Sequence, residues 1–278
     1  MKVLPFSIPK PENTPLLLQE DRADSFYPHL HQHEEIQISC ILKGEGSFYI
    51  GDCFGEFTAG DIFAIGQHLP HVFSNQAEEQ DVHMLSLFFT PDSYGHGFFD
   101  NPEFIELKNF FEAVKLGCKI TSNSHWAQQK MLEMRNQPLL SRFLSFVELL
   151  QAFSRSHVIP LSSFLIKKRF DEAEGNRMRN IMEHTFANYE TQLSVPEVAE
   201  IANMTPNAFC RYFKQRTNKT YMNFVLEIRI GQACRLLKQN REMRISEIAF
   251  ECGFNNLTNF NRKFKQLKKV TPSQFRNS

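Results

Sequence analysis

The sequence lacks any apolar run long enough to cross a bilayer. It also lacks a Cys-x-x-Cys pair: its six cysteines (Cys40, Cys53, Cys118, Cys210, Cys234 and Cys252) are scattered, which excludes a zinc finger or a redox dithiol. Isolated thiols fit a reducing cytoplasm. Pro5 interrupts the short apolar start, Met1 to Phe6, so no signal peptide is expected. Net charge is absent as well, but only on average. Residues 175–278 hold 17 basic and 8 acidic side chains, a net of +9, leaving 14 and 23 in residues 1–174, a net of −9. A basic end on an acidic body suits a nucleic-acid module joined to a domain with another task. With 278 residues, 42% hydrophobic and 22% charged, the chain can build two globular cores.

Two textures follow one another. From about Leu16 to Phe89 the chain reads as short strands. Ile36 to Leu42 alternates, with Ile36, Ile38, Cys40 and Leu42 on one face. Ser47–Ile50, Ile62–Ile65 and Val82–Phe89 are further strands, separated by turns at Gly44, Gly51 and Gly60. Such spacing predicts a small sandwich or barrel. Inward residues Ile36, Ile38, Phe48, Ile50, Phe63 and Ile65 are expected to line a pocket. After Pro102 the period becomes helical. Phe104, Leu107, Phe110, Phe111 and Val114 form one stripe, Trp126 to Met134 a second helix, and Leu139 to Phe153 a third. The apolar side of the third, with Leu140, Phe143, Leu144, Val147, Leu149 and Leu150, reads either as core or as a dimer seam. The polar stretch ending at Gly175 marks a linker. The expected domains are 1–165, a linker over 166–176, and 177–278.

The last part repeats itself. Val198-Ala199 matches Ile248-Ala249, and Asn203-Met204 matches Gly253-Phe254, both at an offset of fifty residues. After one inserted residue, Phe209, Arg211 and Phe213-Lys214-Gln215 match Phe260, Arg262 and Phe264-Lys265-Gln266. Each copy predicts helix, tight turn, helix. Ser194 to Glu197 forms a capping box, Asn203 and Gly253 take the turns, Thr205 with Pro206 starts the second helix of copy one, and Asn255 or Asn256 caps that of copy two. The second helices put Phe209, Phe213, Phe260 and Phe264 inside. Outside they leave Asn207, Ala208, Cys210, Arg211 and Lys214, then Leu257, Thr258, Asn259, Asn261, Arg262 and Lys265. Arg reads guanine, Asn reads adenine, a Thr methyl touches thymine, and Lys suits phosphate. An ordinary helical domain with solvated polar faces is the competing reading. Two copies in the same phase on the same basic background argue against it. Between the copies, Tyr221 to Gln239 reads as one helix of roughly 25–30 Å, close to a turn of DNA at about 34 Å.

The segment from Arg177 to Phe275 resembles the AraC/XylS family of bacterial regulators. The resemblance is carried by Arg229, Ala233 and Leu236-Leu237, by Ile245 to Ala249, by Gly253-Phe254, Phe260, Arg262 and Phe264-Lys265, and by Thr271 to Arg276. It implies two helix-turn-helix units joined by one helix, binding double-stranded promoter DNA. It further implies a small-molecule effector such as a sugar, activation in concert with RNA polymerase, and homodimers; no membrane partner or cofactor is implied. The sequence departs from the family glycine after each second helix, with Asn218 and Lys269 there, so a different turn is expected at Lys269.

The strand region resembles the cupin sensor domains of such regulators, through His31-Gln32-His33, Gly44-Glu45-Gly46, Gly60-Asp61, Pro70-His71 and Asn75. In metal-binding cupins the positions of His31, His33 and His71 hold a metal together with a glutamate, which here is Gln37. A neutral amide is a poor substitute, so no metal is assigned. Structural histidines, a small-molecule pocket formed by His31, His33, Gln37 and His71, and a metal site remain three readings of this cluster. His29 reads as solvated, and His68 and His83 carry no motif.

The expected fold is thus α+β in two domains: a cupin-like β-barrel with appended helices, then an all-α domain with two helix-turn-helix units. A ligand-responsive transcription regulator in the cytoplasm is the favoured function. A metal-dependent cupin enzyme fused to a nucleic-acid-binding module is the alternative.

Overall fold

A computed structural model describes residues 14–27, 29–75, 81–163 and 172–277. The chain forms two compact units whose main division falls between Glu172 and Ala173. The expected linker, 166–176, lies outside the described residues as far as residue 171, and a helix begins at Glu172.

Among its described residues the first unit contains nine strands: β1 (Leu17–Ala23), β2 (Ile36–Lys43), β3 (Gly46–Ile50), β4 (Cys53–Phe57), β5 (Ile62–Ile65), β6 (His71–Ser74), β7 (Val82–Phe89), β8 (Cys118–Ile120) and β9 (Val158–Pro160). They form a six-stranded sheet in the order β1-β7-β2-β5-β8-β9 and a three-stranded sheet β4-β3-β6. The inner faces of both sheets share one cluster, with Ile41, Phe63 and Met84 from the larger sheet and Phe48, Phe57 and Phe73 from the smaller. Burial of these side chains closes a flattened barrel. The outer face of the larger sheet carries three helices, α1 (Lys108–Val114), α2 (Ser124–Met134) and α3 (Leu139–Ser154).

The alternation read in β2 is real, but its assignment to the interior was reversed. Ile36, Ile38 and Cys40 pack outward under the helices with Phe110, Met131 and Leu149, so Gln37, Ser39 and Ile41 point into the barrel. The expected pocket lining fails for the same reason. Ile36 and Ile38 lie on the wrong side of the sheet, while Phe48, Ile50, Phe63 and Ile65 pack against one another with no more than 4% exposure. Alternation fixes that two faces differ. It cannot say which one meets helices when both are apolar.

The helical segment is divided similarly. Pro102–Leu107 is a 3-10 turn rather than part of the first helix. In α3 the core side is Phe146, Leu149, Leu150 and Phe153, whereas Leu139, Leu140 and Leu144 are 82%, 71% and 54% exposed.

From Glu172 on, the regular elements of the described residues are all helices: α4 (Glu172–Asn188), α5 (Val195–Ile201), α6 (Pro206–Thr217), α7 (Tyr221–Gln239), α8 (Ile245–Glu251), α9 (Leu257–Lys268) and α10 (Pro272–Arg276). The repeat is visible in its hydrogen bonds. Met204 N donates to Ala199 O at 2.8 Å, and Phe254 N donates to Ala249 O at 3.0 Å. Both close the first helix of a unit with the same wide turn around a left-handed residue, Asn203 at φ 52° and Gly253 at φ 79°. Thr205 and Asn256 cap the second helices, through Ala208 N and Asn259 N. The Ser194 half of the predicted capping box forms, while the Glu197 carboxylate lies 3.1 Å from His184 Nε2 on α4. Each unit builds an aromatic core: Phe209, Phe213, Tyr221 and Phe224 in the first, and Phe254, Phe260, Phe264 and Phe275 in the second.

The turn at Lys269 does not differ from its counterpart. Lys269 has φ 63° and Asn218 φ 55°, both left-handed after the second helix of their unit. A lysine there bears a Cβ penalty that glycine escapes. Replacing Lys269 by Gly should therefore stabilise the second unit by about 1 kcal/mol, read as a rise in its urea midpoint.

Candidate functional site

Two regions bring the predicted site residues together. The first is the outward side of α6 and α9. Asn207, Cys210, Arg211 and Lys214 are exposed on α6, with Ala208 half-buried at the edge. Leu257, Thr258, Asn259, Asn261, Arg262 and Lys265 are exposed on α9. The opposite sides are held by Phe209, Phe213, Phe260 and Phe264, each fully buried. That burial fixes which way the polar residues face. Asn259 Oδ1 accepts a hydrogen bond from Arg262 Nη2 at 3.0 Å, so this guanidinium is already oriented by a neighbour one turn earlier. Lys268 and Lys269 are also exposed at the end of α9. Between the units, α7 has 19 residues, about 28 Å at 1.5 Å per residue.

A junction near the middle of α7 ties the two halves of this unit. Arg229 donates from Nε to Tyr189 O at 2.7 Å and from Nη2 to Thr191 O at 2.6 Å, and it lies over the Phe254 ring at 6.0 Å. Arg229 entered the family resemblance only as a matching letter. Its role as a bracket between the loop before α5 and the turn after α8 comes from three-dimensional proximity.

The second region is one end of the barrel. His31 and His71 face each other across an isolated bridge, with His31 N to His71 O at 3.1 Å and His71 N to His31 O at 2.9 Å. His33 joins them, and the candidate ligand nitrogens of the three rings lie within 4.8 Å of one another. Each ring is turned by a backbone carbonyl at Nδ1: His29 O for His31, Glu35 O for His33 and Leu69 O for His71, at 2.8, 2.9 and 2.8 Å. A carbonyl only accepts, so Nδ1 carries the proton and Nε2 of a neutral ring is left as an acceptor. Burial holds the His71 imidazole well below the usual histidine range, and the nearby His31 and His33 act in the same direction. Gln37 reaches between the rings, its amide 2.9 Å from His33 Nε2 and 3.0 Å from His71 Nε2. The other end of that amide lies 2.7 Å from Ser39 Oγ, which lies 2.8 Å from Ser86 Oγ directly across the β2–β7 pair. Sequence reading missed Ser39 and Ser86. Their signal was available in the alternation of β2, which places a serine two residues beyond Gln37 on the same face.

This cluster opens on a cavity of about 360 Å³ lined by Phe26, Tyr27, His31, Gln37, His71 and Phe88, with Glu20, Asp21 and Arg22 at its edge. That volume falls within the range of small-ligand pockets. A larger hollow of about 680 Å³ lies elsewhere on the unit, with Ile36, Phe99, Phe104 and Phe111 in its wall, and none of the four predicted ligand residues borders it. The histidine geometry also bears on the metal that cupins imply. Rings oriented through Nδ1, with one nitrogen from each within 4.8 Å of the others, form a fitting donor set for a borderline divalent ion. Among the described residues no carboxylate belongs to the cluster, so the set is neutral.

Comparison with known proteins finds one family match in each unit of the chain. Residues 198–278 match the family described as a helix-turn-helix domain, and residues 19–88 match the cupin domain. The chain is 25% identical to the uncharacterized HTH-type transcriptional regulator YdeC of Bacillus subtilis, over 90% of this chain and 86% of the relative. It is 23% identical to the HTH-type transcriptional activator RhaS of Mannheimia succiniciproducens, over 94% of each. Among solved structures, a transcriptional regulator with an AraC-type DNA-binding domain from Chromobacterium violaceum is 24% identical over 38% of this chain and 95% of its own, at a TM-score of 0.35. The relatives are named as regulators, which sets aside the enzyme alternative. Among the described residues no helix is long and apolar enough to cross a membrane. The chain thus carries a cupin domain followed by a helix-turn-helix domain, and the relatives it matches along most of its length are named as HTH-type transcriptional regulators.

Proposed function

We propose that this regulator is a cytoplasmic activator that answers to a small polar metabolite, bound at the histidine end of the barrel, and that places both second helices in successive major grooves of promoter DNA. The observation that carries the effector reading is the 360 Å³ cavity, where hydrogen-bonding groups from His31, Gln37 and His71 meet the aromatic faces of Phe26, Tyr27 and Phe88. Polar groups set among rings suit a sugar or another hydroxylated metabolite. His33 supports the site from behind, through Gln37. Promoter-binding titrations with and without candidate metabolites test this reading. An effector should change promoter affinity in the wild type and lose that effect when Phe88 is replaced by Trp, which fills the cavity. An unchanged response in the filled variant would move the effector elsewhere.

On DNA, Arg211, Asn207, Arg262, Asn259, Asn261 and Thr258 are the base readers, while Lys214 and Lys265 hold phosphates. Ala208, Cys210 and Leu257 supply close packing against the groove. The name of the RhaS relative supports activation, and with it RNA polymerase as a partner.

A homodimer is the proposed assembly, with a second copy of this chain covering the outer face of α3. Leu139, Leu140 and Leu144 are too exposed there for scattered surface residues, and their spacing continues along one helical side toward the half-buried Val147. Replacing Leu140 and Leu144 together by Asp should turn a dimer into a monomer in sedimentation velocity without changing the fold. A wild type that sediments as a monomer at micromolar concentration would remove this assembly.

A further inference from the structure

We infer that Arg229 is a positioning residue for DNA reading: by tying the loop before α5 to the turn after α8, it sets the distance and twist between α6 and α9, and so the spacing of the two half-sites that the protein accepts. The inference rests on the reading that both second helices dock on one duplex.

Taken alone, α7 is a weak ruler. Its first turns belong to the core of the first helix-turn-helix, through Tyr221 and Phe224, and its second half to that of the second, through Ile230, Ala233 and Leu237. Long helices curve readily, and Gly231 near the middle of α7 weakens it at that point. A bend of about 10° there displaces one end by roughly 2–3 Å, which approaches the base-pair step of about 3.4 Å.

A second connection removes that freedom. It starts in the first helix-turn-helix, where α4 is held by Thr185 Oγ1, 2.9 Å from Tyr221 OH, and by His184 Nε2, 3.1 Å from the Glu197 carboxylate on α5. The loop after α4 is closed by Thr191, whose N and Oγ1 both donate to Asn188 O at 2.9 Å. Arg229 donates to two carbonyls of that loop, Tyr189 O at 2.7 Å and Thr191 O at 2.6 Å. The same guanidinium covers the Phe254 ring, which packs on Phe260 of α9 with centroids 5.1 Å apart. Gly253 brings the turn so close that a Cβ there would lie 2.8 Å from Tyr189 O and 3.0 Å from Arg229 Nε. The position of α9 is therefore referenced to α4 and α5 through a chain of direct contacts as well as through the axis of α7. A planar guanidinium can hold two carbonyls and a ring face at once, which the point charge of a lysine cannot.

The test uses the full chain and a duplex selected by the wild type from a random library, with its two half-sites located by hydroxyl-radical footprinting. One base pair inserted between them shifts one half-site by about 3.4 Å and turns it by about 35°. The wild type should bind the lengthened duplex at least about 100-fold more weakly than the parent, because only one helix-turn-helix can then engage. Arg229→Met keeps the apolar stem and removes both donors. It should shrink that ratio below about 10-fold, with Arg229→Lys between the two. A variant that is merely destabilised weakens binding to both duplexes alike and leaves the ratio at the wild-type value, and that result overturns the inference. Should Arg229→Met fail to fold, Arg229→Lys decides by the same ratio, a wild-type value again overturning the positioning role. A wild type indifferent to the insertion removes the two-groove reading itself, which tells the two failures apart.

Discussion

Replacing Gly253 by alanine should unfold the second half of the DNA-binding unit under conditions where the wild type is intact. The residue has φ +79°, and a Cβ there would lie 2.7 Å from Glu190 O, 2.8 Å from Tyr189 O and 3.0 Å from Arg229 Nε. The left-handed backbone costs alanine about 1–2 kcal/mol, and overpacking against fixed carbonyl oxygens adds about 1–3 kcal/mol. The two carbonyls cannot withdraw freely, because Tyr189 O already accepts from Arg229. For a unit of this size the sum lowers the thermal midpoint by roughly 10 °C or more. Asn203, at the same place in the first unit, supplies the control. It already carries a Cβ at φ 52°, so Asn203→Ala should cost only about 1 kcal/mol. Equal effects at the two turns, by denaturant melts of the full chain, would show that the crowding at Gly253 is not felt.

Arg262→Ala should weaken binding to a cognate promoter by about 1–3 kcal/mol, roughly 5- to 150-fold, and relax preference at one base pair. The side chain is exposed, but Asn259 already holds it at 3.0 Å, so little freedom is lost on docking. Lys265→Ala should act differently. It should weaken all sequences by a similar factor and reduce the slope of affinity against salt by about one ion. Competition binding against single-base variants of the site separates these outcomes. If Arg262→Ala retains full base preference, α9 does not read bases through this residue.

The helix-turn-helix units were legible almost residue by residue, including α7 from Tyr221 to Gln239. The reason is local. Caps, left-handed turn residues and the period of buried phenylalanines all act within a few positions of one another. The barrel was legible in its strands and not in its interior. Gln37 and Ser39 face inward because the outer face of β2 is covered by Phe110, Met131 and Leu149, which lie more than seventy residues away in sequence. Burial on both faces of the larger sheet erased the contrast that normally distinguishes inside from outside. The histidines were found by spacing. What they face depended on the bridge between His31 and His71, a pairing across forty residues that no local pattern encodes. In α3 the leucines at the helix start read either as core or as a seam, and only the three-dimensional packing separated Leu140 and Leu144 from Phe146 and Leu149.

The repeat at an offset of fifty residues has a consequence for symmetry. Dimeric regulators with one helix-turn-helix per chain meet DNA through a twofold axis, so their operators are palindromes. Here two units follow one another along a single chain, joined by one continuous helix. They are unequal: Ala208 and Cys210 stand in the first where Asn259 and Asn261 stand in the second. One chain on DNA has no axis that exchanges them. With both units docked as proposed, the site of each chain carries an arrow, with two different half-sites in a fixed order, and inverting that site turns the bound chain to face the other way along the promoter.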